Sequence, residues 1–288
     1  MKRNYKLEWY NYIPAIIFYL VILFLTISIF CSFAIDYNIN IILRIILLFL
    51  YLNILIFTLY YHFKSMMISN IIDSDNFLLN SQEENKGKEN YCDKCETYRP
   101  KRSHHCSVCG VCILKMDHHC PWIANCVGEK NEREFIYFLF GCCTTSFYVL
   151  LLTLKYFIEL LRKGKNNNNV DYSQNNFMGT LQDISSCFKY GAFVVSFVIC
   201  LSSLFITWNF IYNNIRYNMT AIEILIYRNY KDCPDYNDNL SENLKRRLKP
   251  YPFYNFFNCE SNDDINDEFK YNNFNDESIK LLNKEKEV

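Results

Sequence analysis

Apolar residues along this chain gather into four long blocks separated by polar stretches. Trp9 to Ile35 holds no charged residue and follows Lys2, Arg3 and Lys6. It exceeds the roughly 20 residues a helix needs to cross the hydrocarbon of a bilayer. A secretory signal peptide is the competing reading, with Ser32-Phe33-Ala34 as its cleavage site. The length of the apolar run and the closeness of the second block favour a membrane helix. After the polar loop Asp36 to Asn40, the second block runs from Ile41 to about His62. Arg44 lies near its start, where a long side chain reaches the interface. Asn53 in its middle is either a tolerated polar residue or a bond to a neighbouring helix. Phe135 to Leu154 is again uncharged, and Tyr190 to Tyr212 forms the last block.

This layout predicts an all-α integral membrane protein of four transmembrane helices. Its expected parts are residues 1–63 with helices 1 and 2, a polar segment over 64–134, residues 135–212 with helices 3 and 4, and a tail over 213–288. An even number of spans puts both ends on one side, together with the 64–134 segment. The first loop has no Lys or Arg while its flanks do, which places that side in the cytosol; Arg162, Lys163, Lys165 and Lys189 run against the rule. Asn80 to Asn90 reads as a flexible linker, and Asn166 to Asn169 as a low-complexity insert.

Composition sharpens this picture in two ways. The 288 residues carry a formal net charge of +0, so no basic excess argues for nucleic acid. Seven glycines and six prolines are few, which suits long helices.

The polar segment carries the chemistry. Cys92 to Cys126 packs seven of the 14 cysteines and four of the five histidines into thirty-five residues. Cys92-x2-Cys95 is followed by His105-Cys106-x2-Cys109-x2-Cys112, then His119-Cys120 and Cys126. Thiols two residues apart can close on one metal, and repeated pairs with added Cys and His point to zinc. A reducing cytosol disfavours disulfides for these thiols. Two closed tetrahedral sites take eight ligands, which leaves three of the eleven over, Cys120 and His118 among them. A thiolate beside an imidazole is a nucleophile with its base, and Asp117 can orient the imidazole. The alternatives are Cys120 as a further ligand, or zinc acting as a Lewis acid.

The run Asp117-His118-His119-Cys120-Pro121-Trp122, with Asn125-Cys126-Val127-Gly128 and Asn131 behind it, resembles the DHHC protein S-acyltransferases, the palmitoyltransferases. Arg99-Pro100, Arg102, His104-His105-Cys106 and Cys109-x2-Cys112 extend the likeness, which is dense over about Tyr91 to Phe135. The resemblance implies one zinc on Cys92, Cys95, His105 and Cys112, and another on Cys106, Cys109, His119 and Cys126. Cys120 is then the acyl-carrying nucleophile, with His118 and Asp117 as base and orienter. Fatty acyl-CoA is the implied cosubstrate, cysteines of membrane-associated proteins receive the acyl group, and the lipid bilayer is the third partner. The implied location is an endomembrane, Golgi or endoplasmic reticulum, with a cytosolic active site.

Finer expectations follow. Trp122 sits where it can contact the acyl chain, and Arg99, Lys101, Arg102 and Lys115 can hold the phosphates of coenzyme A or form a plain solvated face. Gly141 to Ser146 either line an acyl cavity or pack helices together. Asn218-Met219-Thr220-Ala221-Ile222-Glu223 resembles the family's Thr-Thr-x-Glu motif, with Ala221 in place of the second threonine. That departure removes a hydroxyl near Asp117. A membrane-anchored zinc adaptor and a catalytically impaired family member are the rival functions.

Overall fold

Four helices follow the four apolar blocks in the computed structural model, which describes residues 8–35, 40–72, 91–165, 177–216 and 218–227. The chain divides into two units, residues 1–251 and 252–288, and the described residues lie in the first. A 3-10 turn, Trp9–Tyr12, leads into α1, Ile13–Ile35. Helix α2, Ile41–Met67, starts on an Asn40 cap whose side chain accepts the Ile42 N–H at 2.8 Å. Helix α3 is Glu132–Lys165 and α4 is Phe177–Phe210. A π-helical turn, Ile211–Arg216, links α4 to a short α5, Ala221–Tyr227. All four long helices are long and apolar enough to cross a membrane, over Trp9–Phe33, Ile41–Met67, Glu132–Glu159 and Ser185–Phe210.

Helices α3 and α4 each have 34 residues, longer than the charge-free blocks that mark them. At 1.5 Å per residue each is about 51 Å long against a hydrocarbon core of about 30 Å. Their ends outside those spans, with Arg162 on α3 and residues 177–184 of α4, continue the helix beyond the apolar stretch. Ile16, Leu20, Phe49, Ile56, Phe147, Val198 and Phe205 stand exposed on the outer surface. That is the surface lipid requires, since lipid offers no hydrogen bonds.

Inside the bundle, α3 packs on both α2 and α4, and α1 packs on α4. Small and hydroxyl side chains bring the backbones close. A Cβ on Gly141 would fall 2.7 Å from Thr58 Oγ1, and Thr58 bonds Thr145 at 2.9 Å. Cys143 Sγ lies 3.2 Å from Ser203 Oγ. Helix packing therefore accounts for Gly141, Cys143 and Thr145. Among the described residues Asn53 bonds the Phe49 carbonyl of its own helix, at 2.7 Å, as a tolerated polar residue does. Arg44 donates to the Phe33 carbonyl at 2.8 Å and satisfies the end of α1.

The expectation of an all-α protein is corrected between α2 and α3. Three antiparallel hairpins lie there: β1 Tyr91–Cys92 with β2 Thr97–Tyr98, β3 His104–Cys106 with β4 Val111–Ile113, and β5 His118–Cys120 with β6 Asn125–Val127. Strands of two or three residues are too short to show apolar alternation in a sequence. They are defined by where the cysteines turn. The expected linker at Asn80 to Asn90, the insert at Asn166 to Asn169 and the tail beyond Tyr227 lie outside the described residues.

Candidate functional site

Each hairpin turn is set by its cysteines. In the second, Cys106 and Cys109 bracket the turn, Gly110 N–H bonds the Cys106 carbonyl at 2.8 Å, and Cys109 N–H points at Cys106 Sγ at 3.4 Å. Gly110 takes a φ of +70°, where glycine carries no Cβ penalty. Strand register then pairs His105 with Cys112 and His119 with Cys126, each pair on one face of its hairpin.

The turn thiols of one hairpin meet the cross-strand pair of the next. Cys92, Cys95, His105 and Cys112 form one group, and Cys106, Cys109, His119 and Cys126 a second, with the ligand atoms of each group within 4.8 Å of one another. Cys95 and Cys109 sulfurs lie 3.3 and 3.4 Å from His105 and His119 Nδ1, and Cys109 and Cys126 sulfurs lie 3.5 Å apart. Tetrahedral zinc with bonds of about 2.0 to 2.3 Å needs ligand separations of this order. All seven cysteines of the hairpins are free thiols. Hydrogen bonds from Cys109 and Cys126 pull the Cys106 thiol down, while Cys106 and Cys109 push Cys126 up. Burial, then Cys92 and Cys95, push Cys112 up. Crowded thiols of this kind ionise together only around a cation, and the two groups fit zinc. Elemental analysis of the purified protein is expected to give about two zinc ions per chain, from one closed site per group. A value near one would break the interleaved assignment.

Cys120 belongs to neither group. Alternation along β5 sends His119 to the metal face and puts His118 and Cys120 together on the other. Cys120 is buried, on the strand face it shares with His118. His118 Nδ1 lies 2.6 Å from Asp117 Oδ2. The other carboxylate oxygen, Oδ1, accepts Asn214 Nδ2 at 2.9 Å and the Ala221 backbone N–H at 2.7 Å. Asp117 is thus fixed from three directions, and a backbone group does what the missing Ala221 hydroxyl was expected to do. Burial works to raise Asp117, but His118, Ala221 and Asn214 hold it below the usual carboxylate range. Burial works to lower His118, but Asp117 and then Cys120 push it up to about 9.

The other candidates separate. Lys101 is exposed, and Arg99 donates to the Ser103 carbonyl at 2.6 Å. Arg102 is turned inward: its guanidinium forks onto Glu223, 2.5 and 2.7 Å from the two oxygens, and also donates to the Asn218 carbonyl. Glu223 in turn accepts the Thr220 N–H at 2.7 Å. This ion pair pins α5 to the hairpins and so aims Ala221 at Asp117. Trp122 exposes its ring while its carbonyl lies 3.1 Å from His62 Nε2 of α2. A carbonyl only accepts, so Nε2 carries the hydrogen and Nδ1 accepts from Tyr19 O–H at 3.0 Å.

Reasoning from sequence missed His62, Tyr19, Asn70 and Asn214. A histidine inside an apolar block was the one visible signal. Asn125 Nδ2 faces the Ser65, Met66 and Ile68 carbonyls at 3.2, 3.0 and 2.8 Å, closing the end of α2. Asn70 Nδ2 bonds Asn131 Oδ1 at 2.7 Å, and Asn131 Nδ2 reaches Ser65 and Cys126 carbonyls. The third hairpin is thereby bolted to α2, and Cys120 packs with Ile123, Val127, Phe135, Phe138 and Phe210.

Known proteins resemble part of this chain. Over 74 residues, 26% of this chain, the sequence is 58% identical to palmitoyltransferase PFA4 of Eremothecium gossypii, covering 19% of that protein. It is 51% identical over 71 residues to palmitoyltransferase ZDHHC7 of Rattus norvegicus, 25% of this chain and 23% of the relative. Palmitoyltransferase ZDHHC20 of Bos taurus matches at 54% over 69 residues, 24% and 19% of the two chains. The chain therefore spans about a fifth of the length of these curated relatives. The DHHC palmitoyltransferase family pattern matches residues 85–228, half of the chain, and takes in the hairpins, both metal groups, α3, α4 and the Glu223 clamp. With that extent of match, the chain belongs to the DHHC palmitoyltransferase family.

Proposed function

We propose that the protein is an integral membrane S-acyltransferase that moves a long-chain fatty acyl group from acyl-CoA, through a thioester on Cys120, to cysteines of membrane-associated proteins. The observation that carries this is a free, buried thiol on the same strand face as a histidine that an aspartate holds, beside two metal groups that are complete without it. Zinc, when bound, fixes His119 and Cys126 on either side of the nucleophile and takes no part in bond making.

In the first step His118 holds the proton of Cys120, and the sulfur attacks the thioester carbonyl carbon of acyl-CoA. The new S–C bond forms as the bond to the coenzyme A sulfur breaks, and the leaving thiolate takes the proton from His118. In the second step a substrate thiol gives its proton to His118 and attacks the acyl-enzyme carbonyl, releasing Cys120. Asp117 favours the protonated imidazole in both steps. The apolar packing around Cys120 supports a chain that lies among the helices while its thioester meets the sulfur at their end. Exposed Lys101, helped by Arg99, is our candidate for the coenzyme A phosphates; Arg102 serves the Glu223 clamp instead. Trp122 borders the chain near its carbonyl. The side bearing the hairpins faces the cytosol of an endomembrane in this reading, and the parts keep the boundaries 1–63, 64–134, 135–212 and 213–288. Because Ala221 delivers its N–H to Asp117, its departure from threonine gives no ground for an impaired enzyme.

The test is incubation of the purified protein in detergent with labelled long-chain acyl-CoA. A hydroxylamine-sensitive adduct on Cys120 is expected, and a wild-type protein that takes up no label sinks the reading.

A pH series probes His118. Its proton is retained from neutral pH up to about 9, so wild-type acylation is expected to change little across that interval. His118→Gln is expected to lose about 10²- to 10⁴-fold near neutral pH. The variant should then recover in part at higher pH, where a thiol can ionise without the help of a base. Equal loss at every pH would make His118 structural.

A further inference from the structure

The three hairpins are one unit repeated at a spacing of 14 residues. Shifting by that interval carries Cys92 to Cys106 to Cys120, and Cys95 to Cys109 to Ile123. It also carries Tyr91 to His105 to His119, and Tyr98 to Cys112 to Cys126. Strand register follows the same shift, pairing Cys92 with Thr97, Cys106 with Val111 and Cys120 with Asn125. So does the backbone: Glu96, Gly110 and Ala124 close the three turns with φ of 52°, 70° and 46°. Non-glycine residues rarely accept that conformation, so its recurrence marks one turn geometry built three times. The third turn tightens slightly, with the Ala124 N–H bonding the Pro121 carbonyl at 3.2 Å.

Each metal group takes the two turn positions of one hairpin and the cross-strand pair of the next. The first hairpin has none before it, and its cross-strand pair is Tyr91 and Tyr98, with ring centroids 5.1 Å apart. The third has none after it, and its second turn position is Ile123, fully buried and packed with Cys120, Val127 and Phe135. Apolar residues thus replace ligands at both ends of the series, except at one position. Cys120 holds the first ligand position of a turn whose second position is apolar.

We propose that Ile123 is the residue that keeps the nucleophile free of metal: the third turn is a zinc knuckle in shape, and Ile123 stands where its second thiolate would be. The proposal rests on reading Cys120 as a metal-free nucleophile. Ile123 acts through its neighbour and is a positioning residue. The turn aims the Cys120 sulfur as a ligand is aimed, while the Ile123 side chain leaves a soft cation only one thiolate to hold. Paired thiolates are what zinc and cadmium select. Among the described residues, Asp117, His118 and Cys120 do not form a metal-spaced group.

The full-length Ile123→Cys variant in detergent tests this. Given added zinc or cadmium, it is expected to bind one more metal ion per chain than wild type and to show extra thiolate-to-cadmium charge-transfer absorbance. Alkylation of Cys120 should slow by about tenfold or more, because the metal occupies the thiolate. Ile123→Ser, close in size but a poor ligand, should bind wild-type metal and leave Cys120 reactive. Unchanged metal content and unprotected Cys120 in Ile123→Cys overturn the proposal, as does equal protection in Ile123→Ser. If Ile123→Cys does not fold, the wild type decides. Its Cys120 alkylation should be indifferent to added zinc, and protection there would show that Ile123 excludes nothing. These readouts are independent of acyl-CoA labelling, so a failed acyltransferase assay and a failed metal assay remain distinct results.

Discussion

Cys120→Ser is expected to keep both metal groups filled and the fold intact while cutting acyl transfer by about 10⁴-fold, the scale of losing a member of a nucleophile set. A serine hydroxyl stays protonated near neutral pH, and His118 alone is too weak a base to ionise it. The side chain change itself is small, and Cys120 contributes to neither metal group. Cys112→Ser, eight residues away, should behave in the opposite way. It removes one of four ligands from the first group, where Cys112 pairs across the strand with His105. Binding of a structural zinc supplies on the order of 10 kcal/mol of folding energy in small domains. Zinc content, folding and acylation should therefore fall together. The two variants, measured for zinc, thermal unfolding and hydroxylamine-sensitive label, separate an enzyme from a metal-stapled adaptor. Loss of zinc from Cys120→Ser would end the acyltransferase assignment.

Asp117→Asn should cost about as much, near 10⁴-fold, for a reason the hydrogen bonds spell out. Asp117 Oδ1 accepts two donors, Asn214 Nδ2 and the Ala221 N–H. An asparagine must put its carbonyl oxygen there, which turns its NH₂ toward His118 Nδ1. That nitrogen then has to be an acceptor, so the hydrogen moves to the nitrogen facing Cys120. The imidazole is locked in the tautomer that cannot take the thiol proton. The pull that raises His118 to about 9 is also lost. Zinc content should not change. Full activity in Asp117→Asn would remove His118 and Asp117 from the chemistry.

The membrane helices and the ligand set were legible because each rests on a dense local signal. Uncharged runs such as Trp9 to Ile35 have one cheap conformation in lipid, and eight ligands at short spacings have one cheap use. The hairpins were not legible, since strands such as Tyr91–Cys92 are too short to alternate and their register comes from metal ligands. The clamp was hidden for another reason. Arg102 and Glu223 are 121 residues apart, and a basic residue near a nucleophile reads from sequence as a ligand contact. Only the fold shows that its charge is spent on Glu223. Asn125 and Asn131 were visible as part of a motif, but their task, closing the carbonyl end of α2, depends on a helix more than fifty residues upstream.

That docking has a consequence for portability. All three hairpins lend ligands to the metal groups, but the third is also completed by its host: Ile123 and Val127 pack on Phe135, Phe138 and Phe210, and Asn125 spends its amide on α2. A peptide cut from residues 91–131 would still chelate zinc. Its last hairpin would carry bare apolar side chains and an amide with no helix end to close. Screens run on such a fragment would report metal chemistry and stickiness in place of acyl transfer. Cys120 is encoded among the metal-ligating residues, but the long apolar helices own its working shape.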